Sequence, residues 1–144
     1  MATLQQPLAG FSAGTPVDLS RGETRGRLSR SAVPAFFKLA EAWQLRDDVA
    51  RQLLGGVSNG AFYQMKSRRK KILDQDKLTR IYLLLGIFKA LNVLYSRKLA
   101  DAWVNLPNSN PMFEGESPLA YMIKGGVPSL MRVRQLLDAR RGGR

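Results

Sequence analysis

Cysteine and histidine are both missing from this 144-residue chain. Without cysteine there is no disulfide and no thiolate metal site, which fits a reducing compartment. Without histidine the commonest general base and the commonest metal ligand are gone as well. No Walker-type phosphate loop, no glycine-rich dinucleotide turn and no cluster of metal ligands is present in the sequence. Acidic residues are scarce, 11 against 23 Lys plus Arg. The nearest pair of carboxylates, Glu114 and Glu116, falls in a turn before a helix, where acids are usual, and Ser117 reads as a helix cap rather than a nucleophile. Catalysis, a cofactor and a metal are therefore not expected. A membrane span is not expected either. The most apolar stretch, residues 78–95, is interrupted by Arg80, Lys89 and Asn92, whereas a span needs roughly 20 nearly uncharged residues. The opening MATLQQPLAGFSAG has no basic leader and no long apolar run, so no secretory signal is expected and the cytoplasm is the expected location.

What the chain has in excess is positive charge, a net +12 with a pI near 10.8. Such a chain is drawn to polyanions, chiefly nucleic acid or an anionic surface. The charge is also clustered. Five of the six residues of KSRRKK, 66–71, are cationic, and Arg132, Arg134, Arg140, Arg141 and Arg144 crowd the C-terminal end.

The stretch LTRIYLLLGIFKALNVLY, 78–95, places Ile81, Tyr82, Leu83, Leu84, Leu85, Ile87, Phe88, Leu91, Val93 and Leu94 all round a helical wheel. A helix apolar on every side is buried on every side, so it is expected to be the central core helix. Gly86 in its middle costs about 1 kcal/mol against Ala, and close approach of another helix is the expected compensation.

Residues 1–30 are rich in Gly, Ser, Thr, Pro and Arg without apolar period, and read as a flexible basic arm. A first helix is expected from near Ser31, with Pro34 in its first turn and Phe36, Phe37, Leu39, Ala40 and Trp43 on its core face. A second runs over 47–54, with Asp47 and Asp48 favouring its N-terminus and Val49, Ala50, Leu53 and Leu54 buried. Gly55-Gly56 stops it. A third helix starts at the cap Ser58 and runs to about Arg69, with Phe62 and Met65 pointing inward. A short helix, a Gly56-Val57-Ser58 turn and a polar, basic helix make helix-turn-helix geometry, with the third helix offered to the major groove. The expected DNA-binding residues are Ser58, Asn59, Tyr63, Gln64, Lys66, Arg68, Arg69 and Lys70. Asn and Gln can bond adenine edges in a bidentate way, and Arg and Lys take guanine or phosphate.

Asp74 is expected to cap the central helix. Beyond it, a short helix over 97–104 should turn Leu99, Ala102 and Trp103 inward, and 105–111 (NLPNSNP) is loop. Another helix follows the cap Ser117, with Pro118 in its first turn, and ends at Gly125-Gly126. The last starts at Pro128 and buries Leu130, Val133, Leu136 and Leu137. Nothing reads as a strand. The expected fold is all-α: a Cro-like helix-turn-helix bundle over 31–95, joined through the long buried helix to a small helical domain over 96–144.

The C-terminal half carries Trp103, Pro107-Asn108, Pro111 with Phe113, Gly115-x-Ser117-Pro118-Leu119, Gly125-Gly126, Val133-x-x-Leu136-Leu137 and the run Asp138-Ala139-Arg140-Arg141-Gly142-Gly143. In this order and spacing, over roughly residues 35–143, the chain resembles the Xre/ParS antitoxins, partners of RES-domain toxins. The upstream half fits too, with a long apolar helix containing Arg80, Gly86 and Leu91. Three positions depart from the usual pattern: the doubled Gly55-Gly56, Met65 where Trp is common, and Gln52 where a small residue is usual.

The resemblance implies a division of labour. The first half would bind operator DNA of its own operon as a homodimer within a larger complex. The second would neutralise a RES-domain toxin encoded by an adjacent gene, a toxin that resembles ADP-ribosyltransferases and degrades NAD. The antitoxin itself would hold no cofactor. Its C-terminal end would lie near the toxin's active-site cleft, which makes Arg140, Arg141, Gly142, Gly143 and Arg144 the expected toxin-binding residues. This flexible cationic tail would engage acidic groups at the rim or occlude the cleft by bulk; Gly142-Gly143 also reads as a plain helix stop with frayed ends. Two other functions stand beside the antitoxin: a stand-alone transcriptional regulator whose C-terminal half only dimerises, and an enzyme acting on nucleic acid.

Overall fold

The computed structural model describes residues 17–67 and 72–142. Seven α-helices occur among them, with no strand: α1 (Gly22–Ala42), α2 (Asp47–Leu53), α3 (Asn59–Lys66), α4 (Gln75–Leu94), α5 (Arg97–Ala102), α6 (Pro118–Gly125) and α7 (Val127–Arg141). Short 3₁₀ turns cover Trp103–Asn105 and Pro111–Phe113.

Side chains close the helix starts where the sequence offers small polar residues. Ser58, Asp74, Ser96 and Ser117 each accept a hydrogen bond from the backbone N–H three residues on, at the starts of α3, α4, α5 and α6. Such caps satisfy one of the orphan donors of a first helical turn.

Helix α4 runs through the middle, with α1 against one side and α7 against the other. Leu78, Ile81, Leu84, Ile87, Ala90 and Leu91 are at most 0 % exposed. Leu83, Leu85 and Phe88 are half-buried. The all-round burial fails at one place: Val93 is 60 % exposed, although Leu91 in the same turn is buried. A single core extends from Leu28 on α1 to Leu137 on α7. The ends of the two halves are also tied by polar contact, Asn105 Nδ2 donating to the Trp43 carbonyl at 3.0 Å.

Three expectations are corrected. Helix α1 starts at Gly22, not near Ser31. Leu28 and Ala32 lie on the same stripe as Phe36 and Leu39 and are buried with them, so apolar burial pulls part of the supposed arm into the bundle. Helix α3 ends at Lys66, with Ser67 as its C-cap, instead of continuing to about Arg69. Helix α5 turns Ala100 fully inward and leaves Leu99 43 % exposed, and Val104 in the 3₁₀ turn that follows is buried as well. Its break into a 3₁₀ turn at Trp103 shifts which side chains reach the core.

Candidate nucleic-acid and toxin interfaces

The α2–α3 turn is built from backbone that only glycine adopts readily. Gly55 and Gly56 have φ of +93° and +89°, a region closed to most side chains. The amides of Gly56 and Val57 both donate to the Arg51 carbonyl, at 2.9 and 3.3 Å. Arg51 Nε in turn donates to the Val57 carbonyl at 2.9 Å. Val57 drops into the core, and Ser58 Oγ accepts from the Ala61 amide at 3.2 Å. The doubled glycine therefore makes a closed, cross-bonded turn that fixes the direction of α3.

Phe62 and Met65 anchor α3 in the core, Phe62 against Phe37 with ring centroids 5.3 Å apart. The remaining face is open. Ser58, Asn59, Gly60, Tyr63, Gln64 and Lys66 are exposed, Tyr63 by 67 %. Five of the eight expected DNA-binding residues thus share one surface. Arg68, Arg69 and Lys70 lie outside the described residues. The Lys66 ammonium pairs with Asp47 at 3.1 Å, both side chains more than half exposed. A pair this open is worth at most about 1 kcal/mol and yields readily to a phosphate.

Ser29 was not legible as important, yet it pins the segment after α3. Its buried hydroxyl donates to the Arg25 carbonyl at 2.6 Å and accepts from the Leu73 amide at 3.0 Å. From there the chain enters α4, whose cap Asp74 binds the Lys77 amide and ammonium, both at 2.8 Å. Burial pushes the Asp74 carboxyl up, but the hydrogen bonds from Lys77 and the charges of Lys77 and Arg25 outweigh it and hold it below the usual aspartate range.

In the C-terminal half, the residues that carry the resemblance are largely framework. The Phe113 ring stands edge-on between Trp103 and Tyr121, with centroids 6.1 and 5.1 Å away. Asn108 and Asn110 side chains accept from backbone amides two residues on, and Ser117 Oγ caps α6. At Gly125 a Cβ would stand 1.7 Å from Ser129 Oγ and 2.7 Å from Ser129 Cβ, so α6 and α7 touch there without room for a methyl. Gly126, at φ +67°, makes the elbow between the two helices.

The close approach expected at Gly86 comes from α7. A Cβ at Gly86 would meet the Arg134 guanidinium at 2.0 Å, and Arg134 Nε is held by Asp138 Oδ2 at 3.1 Å. The expected slender tail is only partly so. Arg140 and Arg141 still belong to α7, and Gly142 is its C-cap. Arg140 is half-buried and donates to the Tyr95 hydroxyl at 3.2 Å; Arg141 lies 3.9 Å from Asp138. Gly143 and Arg144 lie outside the described residues.

Among the described residues there is no group of three or more acidic, His or Cys side chains able to hold a metal ion. None of their helices is long and apolar enough to cross a membrane.

The geometry defines a class: a helix-turn-helix unit with an open polar recognition surface, fused through a shared buried helix to a second helical unit. Comparison with known proteins narrows it. Residues 24–86 match the antitoxin Xre-like helix-turn-helix domain, and residues 89–143 match the antitoxin Xre/MbcA/ParS C-terminal toxin-binding domain. The chain is 39 % identical over 110 residues to the uncharacterised protein y4oB of Sinorhizobium fredii (strain NBRC 101917 / NGR234), covering 76 % of this chain and 83 % of that protein. No solved structure matches at comparable stringency. The chain belongs to the Xre/ParS-type antitoxins. It is an antitoxin with a DNA-binding-type helix-turn-helix domain and a toxin-binding domain. The two matched regions meet inside α4, the helix both halves share.

Proposed function

We propose that this antitoxin neutralises a RES-domain, NAD-degrading toxin encoded by an adjacent gene and represses its own operon by binding operator DNA as a homodimer in the cytoplasm. The observation that carries this reading is the fusion itself: one buried helix joins an exposed polar α3 to a toxin-binding unit. Ser58, Asn59, Tyr63 and Gln64 are of base-reading and phosphate-bonding types. Lys66, with Arg68, Arg69 and Lys70, supplies phosphate contacts. The net charge of +12 adds long-range attraction to DNA. A dimer suits the two-fold symmetry that helix-turn-helix operators usually have. The DNA-binding unit, which takes in α1 and runs to about residue 95, and the toxin-binding unit over 96–144 divide the work.

Arg140, Arg141, Gly142, Gly143 and Arg144 are the residues we assign to the toxin. The Arg140–Tyr95 hydrogen bond steadies the end of α7, so the last residues leave from a held helix end and engage the rim of the toxin's cleft.

Co-expression with the product of the adjacent gene tests this, read by pull-down and NAD consumption, for the full-length chain and a form ending at Ala139. The expected result is that full-length protein binds and stops NAD loss, while the shortened form binds without stopping it. Silencing by both forms removes the role of the tail and keeps the antitoxin–RES pairing. Binding by neither form rejects the pairing and favours a stand-alone regulator.

A further inference from the structure

The arginines that the sequence assigned to an N-terminal arm belong to helix α1. Arg25, Arg27 and Arg30 lie within it, and Arg21 is its N-cap. What precedes them is a different kind of segment. Residues 1–17, MATLQQPLAGFSAGTPV, hold no Lys, Arg, Asp or Glu, although the whole chain has 23 basic and 11 acidic residues. Leu4, Leu8 and Phe11 give the segment three large apolar side chains close together. Residues 1–16 lie outside the described residues. The described chain begins tied down: Val17 and Leu19 pack on the core, and Arg25 Nη1 donates to the carbonyls of Leu19 and Ser20 at 2.9 and 3.0 Å.

A groove begins one turn into α1. It follows α1 from Gly26 to Glu41 and is bounded by the start of α2, by α3 and by Ile72, with a volume of about 1200 Å³. Val33, Phe37, Phe62 and Met65 supply its apolar wall, and Ile72, 59 % exposed, stands at its edge. That volume exceeds the roughly 300–1,000 Å³ of small-molecule sites and suits a stretch of chain with apolar anchors. The rim carries Arg30, Lys38 and Lys66 against Glu41 and Asp47. So nearly balanced a rim gives a polyanion little advantage over an uncharged occupant.

Reach is not limiting. The α1 side of the groove is about 22 Å long at 1.5 Å per residue, and residues 1–16 fully extended would span up to about 50 Å. A segment tethered at the near end of the groove meets it at an effective concentration on the order of millimolar, ahead of a second chain in free solution.

We propose that residues 1–16 fold back along α1 and lay Leu4, Leu8 and Phe11 into this groove, covering Ile72 and the inward flank of α3. The occupant is the chain's own uncharged N-terminal segment. Docked there, it braces α3 from the side opposite its open polar face and withdraws an apolar surface from water. This goes beyond the antitoxin reading, and neither DNA nor toxin is needed to test it.

Because the chain has no cysteine, a nitroxide attached at Gln6→Cys is the molecule's single spin label. The readout is the methyl resonances of Val33, Leu45 and Ile72 in the full-length chain. All three are expected to be broadened by the label and to sharpen again when Leu8→Asp and Phe11→Asp are added. Sharp lines in the first sample, or broadening that survives the two aspartates, overturn the proposal, the latter because tethering alone would explain it. A mixture of spin-labelled, isotopically unenriched chain with enriched, unlabelled chain separates the occupants. Lines that stay sharp in the mixture support docking within one chain, and broadening there assigns the groove to a second copy and overturns the proposal. Uptake of a fluorescent apolar dye gives an independent reading. Leu8→Asp with Phe11→Asp, confirmed folded by its thermal melt, should bind dye that the native chain does not, and Ile72→Glu in that background should reduce the uptake. Equal uptake by native and aspartate forms shows the groove open in both and rejects the docking.

Discussion

Single residues here act mostly by closing gaps and satisfying backbone. Ser29 is the clearest case, since its hydroxyl is the partner of the buried Leu73 amide. Ser29→Ala leaves that amide unpaired, and the expected loss of stability is about 1–3 kcal/mol, read as a drop in the urea midpoint at unchanged slope. Gly125 is a steric case. An added methyl would overlap Ser129 Cβ as well as its hydroxyl, and Cβ cannot rotate away. Gly125→Ala should therefore cost about 1–3 kcal/mol by overpacking, despite the gain in helix propensity, and thermal unfolding will show it. Gly86 is gentler, because the group over it is the far end of the Arg134 side chain, which can swing out. Of these three roles only the close approach at Gly86 was expected from the sequence. A serine on an apolar stripe looks like a blemish until the loop that needs it is in place.

At the scale of elements, the ends of helices decide most. Asp74 caps the helix that both halves share, and Asp74→Ala should cost about 0.5–2 kcal/mol. Its carboxyl is held below the ordinary value of 3.8, so its ionised form is favoured in the folded state. The sign follows from that. The contribution is complete above the unfolded-state value and is lost as the pH falls through the lower folded-state value. Acid titration of Asp74→Asn should accordingly show a flatter fall in stability below pH about 4 than the native chain does. For α3 and the basic run that follows it in sequence, replacing Lys66, Arg68, Arg69 and Lys70 by Ala should weaken binding to all duplexes. It should also flatten the salt dependence by roughly one unit of slope per lost phosphate contact; an unchanged slope would show that this run does not touch DNA. Asn59→Ala should lower operator preference more than overall affinity, and equal losses on operator and random duplex would count against base readout there.

Across the whole molecule, the two functions are not beads on a string. The matched DNA-binding and toxin-binding regions meet within α4, and the core is continuous from α1 to α7. A cut between them would expose Leu84, Ile87 and Leu91 on a helix that has no polar face to offer water. A fragment ending near Tyr95 is therefore expected to aggregate or to unfold well below the full chain's melting temperature, as light scattering and calorimetry would record. A fragment that melted like the intact protein would show that the halves are independent.

Much of this was readable from order alone. Caps, glycine stops and apolar spacing are local signals, acting over three or four residues, and they placed α2, α3, α4, α6 and α7 with their inward faces. The all-round apolar pattern of 78–95 marked the central helix, and the motif order of the C-terminal half pointed to the antitoxin family. The true start of α1 was legible in principle, since Leu28 and Ala32 continue the stripe of Phe36. Its flanking Gly and Arg, poor in apolar period, hid it. What only the folded chain decided involves groups far apart in sequence: Ser29 with Leu73, Asn105 with Trp43, and Arg134 over Gly86. Helix propensity and capping depend on neighbours along the chain, but a guanidinium laid on a distant glycine depends on where packing brings two helices together. That packing is set by the shared core, and no local spacing encodes it.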